Sequence, residues 1–294
     1  MGDLQKYQKY RMQKESSGSK VFKFVLWLII IVIFVWILKG CFGGEEGGVN
    51  TNTSNENVNA AVNLNENSND NTNADSNLNT NTNLEPVSTD FDLDNCTSVF
   101  SRGQDRQEVA LTFNSASSTD NLSEIINILK SNSVPGSFFM TGEVIEENSN
   151  DINNLVSQGF GVYNLSYDYS HLADLSSDEI ASDLEKTEEA LQEAAGSSTK
   201  PFFRPPYGET GGEVFETALD QGYCTVTWTV DAFDWDTDQT VEEAKTRVLD
   251  NLKEGTIVVM QVGTDLVPQF LGDLINEIKN KGYQFKDLST VLAP

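Results

Sequence analysis

From about residue 91 to its end, this sequence predicts an α/β domain built on a parallel sheet closed as a barrel. Three observations lead there. Short apolar runs of strand length alternate with stretches that carry a helical stripe, and the alternation recurs at short intervals. The composition turns globular only after Pro86, leaving about two hundred residues, enough for one substantial core. Polar and aromatic clusters follow several of the runs, where a parallel β/α sheet gathers its working groups.

Glu108 to Phe113 alternates and carries Val, Leu and Phe, which reads as a strand. Apolar residues at 122, 125, 126 and 129 then draw one face of a helix. Gly136 to Met140 is a short buried strand, Val144 to Val156 a helix ended by Gly159, and Gly161 to Leu165 another strand. Ser177-Asp178-Glu179 caps a long helix to about Ala195, with Ile180, Leu184 and Leu191 on one face. A strand at Phe202, a helix over 214–219 and a strand from Tyr223 to Trp228 follow. Val241 to Leu252 predicts a helix, Thr256 to Gln261 a strand, and about Pro268 to Lys279 the last helix, before a strand near Tyr283.

The N-terminal third is of another kind. Residues 1–20 form a basic tail with Lys6, Lys9, Arg11, Lys14 and Lys20, ahead of an apolar run over 21–38. That run is about long enough to cross a bilayer as a helix, with Trp27 and Trp36 toward its ends and Lys23 placed to snorkel. The basic flank places the N-terminus in the cytoplasm and the C-terminal domain outside, in a single-pass cell-membrane topology. No small-residue cleavage pattern follows at Lys39-Gly40-Cys41-Phe42; lipidation of Cys41 is the rival reading. Residues 39–90 form an Asn/Thr/Ser-rich linker, expected to be disordered because it has too little apolar surface to offset its ordering entropy. As a flexible coil its core, roughly forty residues long, would reach about 35 Å. The folded domain is expected over 91–294.

The formal net charge of -26 excludes nucleic acid as a partner, since phosphate binding needs clustered Lys and Arg. The acidity lies mostly in the C-terminal two-thirds and reads as a solvated surface. Cys96 and Cys224 both fall in the globular part, where an oxidising compartment allows a disulfide but sequence gives no geometry for one.

Two stretches look most like active-site loops: Phe202-Phe203-Arg204-Pro205-Pro206-Tyr207-Gly208 and Trp228 through Trp235. With Leu111-Thr112-Phe113, Val134 through Gly142 and Gly282 through Leu288, they stand in an order that resembles the polysaccharide deacetylase (NodB-homology) family of carbohydrate esterases. The resemblance covers about residue 105 to the end and implies an irregular seven-stranded β/α barrel. It also implies a divalent metal, a base aspartate, a catalytic histidine and an N-acetylated glycan substrate.

The departures fall on the chemistry. The family's T-F-D-D-G gives way to Asn114 at the base and Ser115 at a metal ligand, with Ala116 for the glycine. Aligned without gaps on Gly159 and Asn164, the two histidines of the next motif become Leu165 and Tyr169, and Gln261 stands at the catalytic histidine. A gapped alignment would instead bring in His171, the one histidine of the chain, as a single ligand. Leu165 has no lone pair, Ser115 is a poor neutral donor, and a tyrosine ionises only near pH 10. Asn114 cannot take up a proton near neutrality and Gln261 cannot deliver one. No cofactor is therefore expected.

Arg204 and Asp231 are retained from the family pattern, and Tyr207, Asp234 and Trp235 stand with them as groove candidates. With the base aspartate gone, Arg204 is expected either to pair with Asp231 or Asp234 or to face an acidic ligand group. Tyr207 and Trp235 are either walls for a sugar ring or core. The leading expectation is a membrane-tethered pseudoenzyme with a binding groove for a cell-wall or surface glycan, N-acetylated glycans included. An active deacetylase built on Asp231, Asp234 and Glu209, or a protein-interaction or spacer module, are the competing readings.

Overall fold

A computed structural model describes residues 91–294. The basic tail, the expected span over 21–38, Cys41 and the linker over 39–90 lie outside the described residues. Among the described residues no helix is long and apolar enough to cross a membrane.

The centre of the sheet is β1 (Glu108–Ser115), buried from Val109 onward. Parallel to it lie β2 (Ser137–Met140) on one side and β7 (Thr256–Gln261) on the other. Beyond β2 come β3 (Gly161–Asn164), β4 (Phe202–Phe203) and β5 (Cys224–Thr225); beyond β7 comes β6 (Val230–Asp231). The short β8 (Gln284–Phe285) pairs with the start of β1. The crossovers are α1 (Leu122–Ser131), α2 (Gly142–Glu147), α3 (Ser149–Ser157), α4 (Ser177–Ala195), α5 (Gly212–Asp220), α6 (Val241–Asp250) and α7 (Val267–Asn280), and α8 (Leu288–Leu292) ends the chain.

Strand alternation builds two cores. Val109, Leu111 and Phe113 of β1 and Val258 and Met260 of β7 pack outward under the helices. Ala110 and Ile257 point to the other face, with Phe139, Tyr163, Leu165 and Phe202. Because successive side chains alternate across a strand, Thr112 and Asn114 share that inner face with Ala110, and Val259 and Gln261 share it with Ile257.

The parallel strands curl into a half-barrel, and the expected closure is not made: the hydrogen-bonded path ends at β5 and β6. Part of the interval is taken by the segment before β1. Phe100 bridges Val226, Thr227 donates to the Phe100 carbonyl at 2.7 Å, and the Thr229 hydroxyl donates to the Ser101 carbonyl at 2.7 Å. A disulfide joins Cys96 to Cys224 and ties this segment to the edge strand, resolving the pairing that sequence left open.

Other differences are local. The single helix expected over 144–156 is two, because Asn148 leaves helical geometry (φ -127°) and its amide caps the Val144 carbonyl at 2.9 Å. The α4 cap is Ser176, one residue earlier than expected, in a reciprocal box with Glu179. The strand expected over 223–228 shortens to two residues, since Val226 and Thr227 pair with Phe100 instead. Gly255 precedes β7 at φ +65°, and a Cβ there would lie 2.4 Å from the Gln104 carbonyl oxygen, so only glycine fits.

Candidate functional site

Parallel pairing sets the C-terminal ends of β1, β3, β4, β6 and β7 at one end of the sheet, and every residue singled out from the sequence follows one of these ends or lies in it. Arg204, just past β4, is fully buried. Its Nη1 donates to Thr112 Oγ1 at 3.0 Å and to Asn114 Oδ1 at 2.8 Å. Its Nη2 donates to the Thr227 carbonyl at 3.0 Å and its Nε to the Val226 carbonyl at 3.3 Å. The guanidinium carbon lies 3.9 Å from the centre of the Phe139 ring and 5.8 Å from that of Trp228, so an aromatic face takes part of the charge. Burial pushes the Arg204 pKa down to about 9, against the opposing influence of Tyr169 and Asp231.

The ion pair between Arg204 and Asp231 or Asp234 does not form as a direct contact. Both aspartates are engaged elsewhere. Asp231 accepts from the Phe233 N–H at 2.8 Å and from the Trp235 indole N–H at 3.3 Å. Asp234 Oδ2 accepts from the Gln261 N–H at 3.0 Å and the Thr264 hydroxyl at 2.9 Å, while its Oδ1 is buried without a hydrogen-bond partner. Burial, then the nearby Asp231 charge, raise the Asp234 pKa to about 7. Asp231 is raised by burial and held back chiefly by the Phe233 N–H.

The three positions that the resemblance aligns with metal ligands have the following surroundings. Ser115 is fully buried and its hydroxyl donates to the Ser118 carbonyl at 2.6 Å. Leu165 is fully buried in the inner core. Tyr169 is 4% exposed, packs edge-on against Tyr207 at 4.9 Å and has a left-handed backbone (φ 63°). An alkyl side chain, a neutral hydroxyl and a buried phenol do not make a donor set for the divalent cation that the resemblance implies. Among the described residues no three His, Cys, Asp or Glu side chains gather in one place.

His171 leads a short 3-10 turn instead of entering the sheet end. Its Nδ1 lies 2.6 Å from Glu209 Oε1, and its ring stacks on Tyr207 with centroids 4.1 Å apart. Tyr207 is half-buried between His171 and Tyr169, and Trp235 is 3% exposed, bracing Asp231 from within. Sequence reasoning did not single out two further residues here. Trp228 is half-buried and its ring approaches Gly208, and Phe139 stands beside Asn114 in the β1–β2 register. Trp228 heads one of the two loop-like stretches, a signal that was available. Nothing local marks Phe139.

The fold and these strand ends define a polysaccharide-deacetylase-like domain, and similarity to known proteins says the same. The polysaccharide deacetylase family profile matches residues 101–226. A peptidoglycan-N-acetylglucosamine deacetylase of Bacillus cereus is 30% identical over 200 residues, which cover 65% of this chain and 70% of that protein. This chain therefore belongs to the polysaccharide deacetylase family. Among solved structures, a CE4 family pseudoenzyme from Bacillus anthracis is 31% identical with a TM-score of 0.63, covering 66% of this chain and 68% of that one. A mutant of that pseudoenzyme, described as having restored enzymatic activity, matches with the same identity and TM-score and covers 71% of its own chain.

Proposed function

We propose that this protein is a membrane-anchored, extracytoplasmic member of the family that binds cell-wall glycan without deacetylating it. The observation that carries the reading is the chemistry of the strand ends. Carboxamides stand where base and acid would be, and Leu165, Tyr169 and a committed Ser115 stand where metal ligands would be. General acid and base groups are each worth roughly 10² to 10⁴ in rate, and neither carboxamide can move a proton near neutrality. Similarity to a CE4 pseudoenzyme supports the reading. Preserved aromatic and polar residues around Arg204, Tyr207, Trp228 and Asp231 support a retained groove. The basic tail and apolar run over 1–38 support the anchor.

The purified protein should hold far less than one equivalent of zinc, nickel or cobalt. It should release no acetate from acetylated chitooligosaccharides or peptidoglycan, and it should sediment with cell-wall preparations. Stoichiometric metal with turnover lost in Asp231→Asn would restore the deacetylase reading; failure to bind the wall would favour an interaction module. Protease added to intact cells should remove the domain and leave a small membrane fragment, and a protected domain would reverse the topology.

A further inference from the structure

We infer that Asp183 is a pH-sensitive clasp on the loop over 165–171, and that by holding this loop it sets the shape of the groove wall; the second half rests on the glycan-binding reading above. The loop leaves the end of β3 and supplies Tyr169 and His171, both packed against Tyr207. Asp183 lies inside α4 and is buried, with both carboxylate oxygens 3.0 Å from the Tyr167 N–H.

This loop has to be held. Ser166 and Tyr169 have left-handed backbones (φ 70° and 63°), which such residues keep only where their surroundings impose them. The restraints converge on Tyr167, between the two. Its carbonyl accepts from the Glu143 N–H at 3.0 Å, and its hydroxyl donates to Glu146 at 3.0 Å. Its ring lies so close over Gly142 that a Cβ there would stand 2.3 Å from it. Those contacts tie the loop to α2. The tie to α4 is the Asp183 carboxylate, which has the Tyr167 N–H as its side-chain donor among the described residues.

One shared N–H compensates poorly for a buried negative charge. Burial raises the Asp183 pKa to about 7; the Tyr167 N–H opposes this, the Asp168 charge adds to it and Lys186 opposes it. The other elements packed on α4 bring further acids. Glu143 and Glu146 of α2 face the Tyr167 ring, while Asp151 of α3 and Glu213 of α5 accept from the Thr119 and Ser177 hydroxyls. The closed loop therefore holds the Asp183 proton more tightly than an open loop, in which the carboxylate meets water. Closure is strongest below about pH 3.8 and is lost as pH rises through about 7. An open loop carries Tyr169 and His171 off Tyr207 and dismantles that wall.

The test uses the full chain in detergent and follows amide hydrogen exchange by mass spectrometry between pH 5 and pH 8, corrected for the intrinsic pH dependence of exchange. Protection of 165–171 should fall about 10- to 100-fold across that range while a peptide from α7 stays constant. Asp183→Asn keeps an oxygen for the Tyr167 N–H and has no charge to titrate, so protection there should change less than about 3-fold. Sedimentation with cell-wall preparations should weaken over the same range in wild type and not in Asp183→Asn. Thermal melting establishes that the variant folds; if it does not, the wild-type profile decides alone. Wild-type protection independent of pH, or an equal fall in folded Asp183→Asn, overturns the clasp. Wall binding that stays constant while the loop loosens overturns its hold on the groove. Absence of wall binding at every pH overturns the glycan reading and leaves the clasp standing.

Discussion

The Arg204 guanidinium donates to the Asn114 amide oxygen at 2.8 Å, so a fully buried cation rests against a neutral partner at the heart of the inner face. A carboxamide offers only a dipole where a carboxylate would offer a charge. The burial cost is consequently visible in the Arg204 pKa, lowered to about 9.

Asn114→Asp should therefore stabilise the domain by about 1 kcal/mol at neutral pH, because a charge-assisted bond replaces a neutral one at little change in volume. The new carboxylate, beside a cation, would have its pKa held below the unfolded value. Its gain would be present above the unfolded pKa and vanish as pH falls through the folded one. Urea denaturation at pH 7 and pH 3 measures both; a loss of stability at pH 7 would show that desolvating a second charge outweighs the attraction.

Asp234 gives the opposite pH dependence. Its folded pKa is raised to about 7 from an ordinary value of 3.8, so the folded state holds its proton more tightly than the unfolded state does. The stability contributed by that proton is full below about pH 3.8 and is lost as pH rises through about 7. Asp234→Asn keeps an oxygen for the Gln261 N–H and the Thr264 hydroxyl and carries no charge to bury. The variant should be more stable than wild type by about 1–2 kcal/mol at pH 8, with the difference shrinking toward pH 5. A difference independent of pH would mean that Asp234 does not titrate in this range.

Removing the bond between Cys96 and Cys224 should cost about 2–4 kcal/mol, since it closes a loop with a sequence separation of 128. Cys96→Ala with Cys224→Ala, compared by thermal melting with the oxidised protein, reads this out. Phe91 and Phe100 should gain solvent exposure first, because the segment then clings to β5 and its neighbours only through ring contacts and a few backbone bonds. An unchanged melting temperature would show that those contacts suffice.

Replacing together the five positions that the resemblance aligns with base, acid and metal ligands tests the proposed function directly. Asn114→Asp, Ser115→Asp, Leu165→His, Tyr169→His and Gln261→His should yield a folded protein that binds one equivalent of zinc and gains slow acetate release. The added donors would stand at or just past the ends of β1, β3 and β7, which the parallel sheet gathers at one end. A folded variant without metal would mean that the strand ends are not spaced for one, or that the ungapped register around Asn164 is misplaced.

The residue on which that register is aligned has a structural role the sequence did not display. Asn164 is fully buried, its amide donating to the Leu184 carbonyl at 3.0 Å and to the Tyr223 hydroxyl at 3.2 Å, and its oxygen accepting from Ser166. It pins the end of β3 to α4. The alternation of strands and helices was legible because most crossover helices carry an apolar stripe, β1 alternates over Glu108 to Phe113, and β7 carries the apolar run Ile257 to Met260. The break at Asn148 was not legible, because a cap inside an otherwise helical stripe leaves the apolar spacing intact.

What the sequence determined by itself was local: which runs form strands, which faces are apolar, and which side chains at the strand ends can or cannot bind a metal or carry a proton. These follow from residue chemistry and from periods of two and 3.6 along the chain. What only the tertiary structure decided was partnership across the sheet. Arg204 chose Asn114 over either aspartate, Cys96 met Cys224, the segment at Phe100 occupied the interval beside β5, and Trp235 turned inward to Asp231. Each of these joins residues far apart along the chain or depends on which face a loop turns toward. Burial and hydrogen-bond geometry settle such choices among several chemically acceptable partners, and they take their values only once the strands have paired.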